Sequence, residues 1–157
     1  MKTTLICIGK TNESYWQAAI DEYTKRLRKY SPFEIIEIPD LKNAKALTEQ
    51  QIRHAEGENI LKLINTDDVV TLLDDKGAEY TSLKFAEWYQ QKMSSGLKRL
   101  VFVVGGPYGF SEEVYARANH KLSLSRLTFS HQLVRPVFLE QIYRAQTILH
   151  NEPYHHE

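Results

Sequence analysis

The chain has 157 residues, of which 42% are apolar and 25% are charged, and these values exclude a disordered or low-complexity protein. The length suits one domain, 1–157, with a single sizeable core. Twenty Lys and Arg balance twenty Asp and Glu, so no overall positive field draws the chain onto nucleic acid or a membrane. The apolar run at the start is too short for a signal peptide, and no segment is long enough to span a bilayer. We therefore expect a cytoplasmic protein.

Four apolar runs rich in β-branched residues predict strands, and each is followed by turn residues and a longer segment of different period. They cover residues 3–8, 33–38, 69–73 and 100–104. Cys7 lies inside the first run, which predicts a buried thiol without a disulfide partner.

Longer segments with apolar residues every three or four positions predict helices between and after these strands. The first carries apolar residues from Trp16 to Tyr30, and the second covers about 47–64 with Gly57 weakening its middle. Cap and turn residues predict three more helices. The third helix begins at a cap at Thr81 or Ser82 and ends at Gly96, the fourth begins at a cap at Ser111, and the last has Pro136 in its first turn. Strands that alternate with helices predict an α/β fold, a parallel sheet with helices on both faces.

Ligands of such folds bind beyond the carboxyl ends of the strands, where the sequence has a glycine loop. The stretch VFVVGGPYGF, 101–110, is a buried strand that ends at Gly105 and Gly106. It lacks the G-x-G-x-x-G spacing and the following acid of a dinucleotide loop, and no Gly-Lys-Ser or Gly-Lys-Thr of a P-loop follows it. A tight strand-to-helix turn without a ligand remains an alternative for this stretch alone.

A second stretch favours a ligand site. HKLSLSRLTFSHQLVRP, 120–136, begins as an alternating strand and continues as a hydroxyl-rich loop into the last helix. Such a loop offers many hydrogen-bonding groups and little charge, which suits a neutral heteroaromatic ring. We expect three loops, 72–76, 105–109 and 124–129, to converge.

The motifs CIGK, FEIIEIPD, EGENIL, VTLLDDKG, FVVGGPYGF, LSLSRLTFSHQLVR, EQIYRAQTI and PYHHE occur in this order over the whole chain. Together they resemble the smallest SPOUT-class methyltransferases, the bacterial large-subunit rRNA pseudouridine N3-methyltransferases. The resemblance implies a sheet whose C-terminal part is threaded as a deep trefoil knot, an exception to the rule that chains do not thread loops. It also implies a homodimer in which one protomer completes the site of the other.

The resemblance further implies S-adenosylmethionine as cofactor, held in a bent form by the knot loops. The corresponding residues are Leu72, Gly105, Leu124, Ser125, Arg126, Leu127, Thr128 and Phe129. The resemblance implies 23S rRNA as the substrate. The neutral chain has no separate RNA-binding domain, which fits recognition of the large subunit or the assembled ribosome better than recognition of naked RNA.

The chemistry assigns a role to the C-terminal tail, NEPYHHE. Methyl transfer from an activated sulfonium needs alignment, and the N3 position of the target becomes nucleophilic as its proton leaves. The resemblance places Tyr154, His155 and the next residue at this site, with His155 as the base or the group that orients it. The family has Arg or sometimes Lys at the next position, whereas this chain has His156, which is only partly charged near pH 7. A solvated, frayed tail is the alternative interpretation.

The remaining expectations concern metals and RNA. The histidine pair at the tail lacks the accompanying ligands of a zinc site, so no metal is expected. Contacts to RNA are expected from Arg26 and Arg28 on the first helix and from Arg135 near the last. Further candidate cations are Lys25, Lys29, Arg126, His131 and Arg144. Taken singly, each is better interpreted as an ordinary or ion-paired surface charge, and Arg144 as a dimer contact.

Three hypotheses follow from the sequence: the rRNA methyltransferase, a non-catalytic knotted homologue that binds ribosomes, and a nucleotide-binding oxidoreductase built on residues 105–109. The second is motivated by His156 in place of a fixed cation.

Overall fold

The computed structural model describes residues 1–157 and has one five-stranded sheet in which every strand pair is parallel. The strand order is β2-β1-β4-β3-β5. All carboxyl ends therefore lie along one edge. The strands are β1 Lys2–Ile8, β2 Phe33–Ile38, β3 Val69–Glu79, β4 Arg99–Val104 and β5 His120–Ser123.

Five helices cover the two faces of the sheet, as the alternating pattern predicted. Their bounds are α1 Ser14–Leu27, α2 Glu49–Leu61, α3 Ser82–Ser94, α4 Glu112–Arg117 and α5 Val134–Leu149. The predicted caps at Thr81 and Ser111 are confirmed, because each side chain accepts a hydrogen bond from a first-turn N–H. No helix is both long and apolar enough to cross a membrane.

Successive side chains of a strand point to opposite faces, and β1 supplies both layers of the core. Leu5 and Cys7 pack into the cluster beneath α1, α3 and α5, whereas Ile6 and Ile8 pack into the cluster beneath α2 and α4. The prediction of a buried, unpaired Cys7 is confirmed. Burial raises the pKa of its thiol to about 12, so the thiol is inert near neutral pH.

Two predicted boundaries differ from the structure. The third strand continues beyond residue 73 to Glu79, since the chain pairs with β5 again after an irregularity at residues 74–77. A Cβ at Gly77 would lie 2.6 Å from the Leu122 nitrogen, so only glycine permits this approach. The second helix is shorter than the predicted 47–64, and a Cβ at its Gly57 would lie 2.4 Å from Ser111 Oγ.

Arg135 is the largest fully buried side chain, with 1% of its surface exposed, and it connects the start of α5 to the end of β1. Its guanidinium donates to the carbonyls of Ile8 (2.8 Å), Gly9 (2.9 Å) and His131 (3.1 Å) and to the Thr11 hydroxyl. The expectation that Arg135 contacts RNA is therefore corrected, because its donors are used inside the chain.

Replacement of Arg135 by Met should lower the free energy of unfolding by about 3 kcal/mol or more, because carbonyl groups that the guanidinium satisfies would stay buried without a donor. Urea denaturation measures the change. Arg126→Met is the matched control: Arg126 is exposed and pairs with Glu79, so its loss should leave the urea midpoint unchanged. Normal stability of the Arg135 variant together with weakened ribosome binding would restore the RNA-contact interpretation.

Candidate active site

A cavity of about 420 Å³ opens at the carboxyl ends of β3, β4 and β5, against the first turn of α5. This volume is in the range of small-molecule and cofactor sites. The predicted convergence of three loops is therefore seen in the structure. The lining residues are Leu73–Asp75, Val104–Pro107, Gly109, Phe110, Tyr115, Leu122, Leu124, Ser125, Leu127–His131 and Val134.

The glycine loop, 105–110, presents backbone donors that have no acceptor within the chain. Of its N–H groups only that of Gly109 is used, donating to the Gly106 carbonyl at 3.2 Å. Gly109 itself has a φ of +80°, a conformation that glycine adopts without strain. The loop is thus shaped by its glycines and leaves donors free for a ligand.

The hydroxyl-rich loop, 124–131, forms the opposite wall and is held by its own serines. Ser123 Oγ donates to the Ser125 carbonyl, and Ser125 Oγ accepts from the Leu127 N–H, both at 3.0 Å. These turns leave the Leu127 side chain 78% exposed at the cavity edge. An apolar side chain held in this way is available to cover a ring inside the cavity.

Two of the eight expected cofactor residues do not line the cavity with their side chains. Leu72 is fully buried in the core beneath α2 and α4, one residue before the lining Leu73. Arg126 points into solvent and pairs with Glu79 at 2.9 Å. The other six lie in the lining.

The sequence analysis missed an acidic side of the cavity. Asp74 Oδ2 accepts a 2.6 Å hydrogen bond from the Tyr115 hydroxyl, and Asp74 Oδ1 accepts one from the Lys76 N–H. These donors hold the pKa of Asp74 below its usual value against the effect of burial, while burial and the carboxylate raise the pKa of Tyr115 to about 12. The motif LLDDKG carried the acids, but only the fold brings Tyr115 to them.

The tail turns back onto α5 of its own protomer. Asn151 takes a φ of +54° directly after the helix, and the Glu152 N–H donates to the Thr147 carbonyl at 2.9 Å. The Glu152 carboxylate accepts from the Tyr30 hydroxyl at 2.7 and 2.8 Å, so the turn that follows α1 anchors the tail. The interpretation of the tail as a frayed end is therefore wrong.

Tyr154 lies against α5 through both its ring and its hydroxyl. The hydroxyl donates to Glu140 Oε1 at 2.9 Å, the ring packs edge-on against Tyr143, and the Arg144 guanidinium lies 4.9 Å from the ring centre. Burial and the neighbouring acceptors raise the pKa of Tyr154. The phenol is therefore protonated at neutral pH and acts as a donor or a stacking surface, not as a base.

His155 has a defined tautomer. Its Nδ1 lies 3.1 Å from Arg144 Nη1, and because a guanidinium only donates, Nδ1 must accept and Nε2 carries the proton of the neutral ring. Nε2 has no hydrogen-bond partner and lies 3.4 Å from the Glu157 carboxylate. His156 is exposed and has no recorded polar contact.

No tail residue lines the cavity. The tail contacts Glu140 and Arg144, which are six and ten residues beyond Val134 at the cavity edge. A helix rises 1.5 Å per residue, so these contacts lie about 9–15 Å along α5 from the cavity. Within one chain, the cavity and the tail are separate.

The expected RNA-contacting cations of α1 are placed at the surface. Arg26 Nε pairs with Glu22 at 2.9 Å, and its guanidinium lies over the rings of Tyr23 and Tyr143. Arg28 is exposed, with its Nε donating to the Phe33 carbonyl. Lys25 and Lys29 are exposed without an ion pair in the chain. Of Arg26, Arg28 and Arg135, only Arg26 and Arg28 stay accessible, and Arg126 and His131 are exposed as well.

Glu56 of α2, which the sequence analysis did not single out, lies behind the glycine loop with 7% of its surface exposed. Its Oε1 is buried and has no hydrogen-bond donor. Burial, and then the negative charge of Asp40, raise the pKa of Glu56. No group of three or more His, Cys, Asp or Glu side chains is arranged to hold a metal ion.

Comparisons with known proteins agree on one family. A family model described as predicted SPOUT methyltransferase matches residues 1–155. The chain is similar to proteins named ribosomal RNA large subunit methyltransferase H. That of Parabacteroides distasonis is 58% identical over 157 residues, 100% of both chains, and that of Christiangramia forsetii is 55% identical over 156 residues, 99% of each. That of Flavobacterium johnsoniae is 54% identical over the full length of both chains.

The raised pKa of Glu56 predicts how stability depends on pH. The folded protein favours the protonated carboxyl, whereas the unfolded chain ionises near the ordinary pKa of about 4.3. Glu56 should therefore lower the free energy of unfolding as pH rises from that value through its folded pKa. Glu56→Gln should raise the urea midpoint at about pH 8 and leave it unchanged at about pH 4. An equal shift at both pH values would contradict this account.

Proposed function

We propose that this chain, which belongs to the SPOUT methyltransferase family, methylates N3 of a pseudouridine in 23S rRNA of the large ribosomal subunit or the assembled ribosome. The proposal depends above all on the cavity at the carboxyl ends of the strands, with its free backbone donors and its apolar walls. Full-length relatives at 50–58% identity that are named for the large ribosomal subunit RNA support the substrate.

The proposed cofactor is S-adenosylmethionine, which would supply an activated methyl group. The residues of the cavity fit it in three ways. The free N–H groups of the glycine loop suit a heteroaromatic ring, Phe129 and Leu127 offer apolar cover, and the carboxylates of Asp74 and Asp75 suit its positive charge. Gly105 keeps this wall open, because a Cβ there would lie 3.0 Å from the Phe110 ring.

The protein's own part in the reaction is to align the target and to accept a proton. Tyr154, as a protonated phenol, would stack on the target base or donate to it. His155 would orient the group that takes the N3 proton through its Nε2–H, with Arg144 fixing this tautomer, or would take the proton itself at Nδ1 once the Arg144 hydrogen bond is released. His156 would assist RNA docking. Its exposed ring leaves it free to approach phosphate.

The proposed active unit is a homodimer. The tail and the cavity are separate within one chain, so a working site that contains both needs the tail of a second copy. The α1 cations Arg26 and Arg28 of the two copies would then form the RNA-contacting surface beside it. A two-fold arrangement would create two such composite sites.

We also propose that residues 1–157 act as one cytoplasmic domain and that its C-terminal part is threaded as a trefoil knot. The segment that leaves β5 at one side of the sheet crosses the ends of β3 and β4 to reach β1. There Gln132 donates to the Lys10 carbonyl and accepts from the Asn12 N–H, both at 3.0 Å. If the unfolded chain is pulled from both ends, the knot should tighten, and the fully extended length should be shorter than that of an unknotted chain of 157 residues.

Methyl transfer tests the activity directly. With radiolabelled S-adenosylmethionine and ribosomes that lack the modification, the chain should label 23S rRNA, and His155→Ala should lower kcat by about a hundredfold, as expected for loss of a proton-transfer group. His54→Ala is the control, because His54 is exposed on α2 and pairs only with Glu58 and Glu113. A folded protein that binds neither S-adenosylmethionine nor ribosomes would refute the proposal.

Complementation between variants tests the composite site. One variant carries His155→Ala, and the other carries Gly105→Val, which closes the cavity against Phe110. If the tail of one protomer serves the cavity of its partner, exchanged mixtures of the two inactive proteins should regain about a quarter of wild-type activity, since half the dimers are mixed and each has one intact site. If the mixture stays inactive although its subunits exchange, the tail must serve the cavity of its own chain.

The second candidate, a non-catalytic homologue that binds ribosomes, is favoured by one observation. His156 lies where the family has a fixed cation, and it makes no recorded contact that compensates. An oxidoreductase has no comparable support, since the family is one of methyltransferases.

His156→Arg separates the two candidates. If the chain is an active enzyme, Arg should change kcat/KM by less than about tenfold, because an added phosphate contact mainly improves docking. Methyl transfer that is detectable only in the Arg variant would favour the non-catalytic homologue. His156→Gln is the neutral control for the charge.

A further inference from the structure

Glu56 is a buried carboxyl group without a hydrogen bond. It is 7% exposed, its Oε1 is fully buried, and no donor of the chain is within hydrogen-bonding reach. Buried acids are normally paired, because an unpaired polar group loses its interaction with water and gains nothing in return. A group of this kind suggests a partner that is absent from this arrangement of the chain.

The carboxyl group faces the glycine loop at close range. A Cβ at Gly106 would lie 2.6 and 2.7 Å from the two Glu56 oxygens, so only glycine leaves room for them. The next residue of α2, Gly57, has the same relation to Ser111 at the end of the loop. Glu56 and Gly57 of α2 thus pack along the wall of the cavity that Gly106 lines.

Unused donors and an unused acceptor therefore lie side by side. The Gly105 N–H has no acceptor in the chain, and Glu56 has no donor. Gly106 forms an isolated antiparallel bridge with Gly109, in which the Gly109 N–H donates to the Gly106 carbonyl at 3.2 Å. The peptide between two glycines rotates with little steric cost. A rotation there would turn the Gly106 N–H towards Glu56, which would give the loop a second arrangement with a different hydrogen bond.

We propose that Glu56 is a positioning residue that holds the glycine loop in its cofactor-bound arrangement by accepting the Gly106 N–H. The residue acts through the loop and does not touch the reacting atoms. This inference rests on the proposed function, since the cofactor that selects this arrangement is S-adenosylmethionine. Binding shifts the loop between its two arrangements only because the cofactor prefers one of them.

The charges around Glu56 give the proposal a measurable consequence. Asp40, after β2, raises its pKa in addition to burial. No cation offsets the negative charge of Asp40. His54 of α2 pairs with Glu58 and with Glu113 of α4. The Arg135 guanidinium donates to carbonyls at the end of β1 and lies 3.5 Å from Glu37. A carboxyl group that gains a hydrogen bond from N–H favours its ionised form. Cofactor binding should therefore release a fraction of a proton at mildly acid pH, and affinity should rise with pH.

Titration calorimetry with S-adenosylmethionine in two buffers of different ionisation enthalpy measures this release. The wild type should release protons on binding at mildly acid pH, in a range that begins near the ordinary glutamate pKa of about 4.3 and ends at the raised pKa of Glu56 in the free protein. Glu56→Gln should bind without that release, and Glu56→Ala should bind about tenfold more weakly, as expected for loss of a hydrogen bond to a charged acceptor. His131, which also lines the cavity, is present in every variant and contributes equally.

Glu58→Gln is the matched control, because Glu58 lies two residues away on the same helix and is exposed. It should keep both affinity and proton release. Thermal unfolding verifies that each variant is folded, and the neutral Glu56→Gln keeps the side-chain volume. Proton release that is the same in the wild type and Glu56→Gln would overturn the role of Glu56. A wild type that does not bind S-adenosylmethionine would instead overturn the cofactor assignment, and the inference with it.

Discussion

The buried guanidinium of Arg135 is the interaction on which the arrangement of the site depends. It satisfies the last carbonyls of β1 and the carbonyl of His131, so it fixes the start of α5 at the carboxyl edge of the sheet. The segment between β5 and α5 must then cross the ends of β3 and β4, where it becomes a wall of the cavity. The guanidinium has five donors spread over three nitrogens in a rigid fork, so it reaches carbonyls that lie further apart than the three donors on the single nitrogen of a lysine can reach.

The direction of α5 follows from this fixed start and decides where the tail lies. The helix carries Glu140 and Arg144 away from the cavity, and these residues hold Tyr154 and His155. The chain thus holds Tyr154 and His155, the proposed proton-handling groups, in a defined geometry at a distance from the loops proposed to bind the cofactor. Such a division fits the proposed homodimer, in which a second copy would complete the site.

The glycine loop combines free backbone donors with a buried acid that has no partner. Many other buried groups are paired, as in the ion pair of Arg99 with Asp68 or the hydrogen bond between Thr3 and Tyr89. Single side-chain atoms of Thr24, Thr71, Gln146 and His155 are buried without a hydrogen bond as well. Around the loop, Glu56 lacks a donor and the glycine N–H groups lack acceptors. Natural proteins tolerate such local costs mainly where a ligand or a moving element needs them.

The sequence by itself determined the elements, their alternation and therefore the parallel sheet, because strand and helix periods and cap residues act over a few neighbours. It also determined the family, because its motifs occur in order over the whole chain, and the family in turn indicated which loops form the cavity. Only the tertiary structure decided what single side chains do. It buried Arg135, turned Arg126 into solvent, brought Tyr115 to Asp74 and placed Glu56 behind Gly106, pairs separated by 41 and 50 residues along the chain. Such contacts are set by how strands and helices pack, and no local pattern in the sequence carries that information.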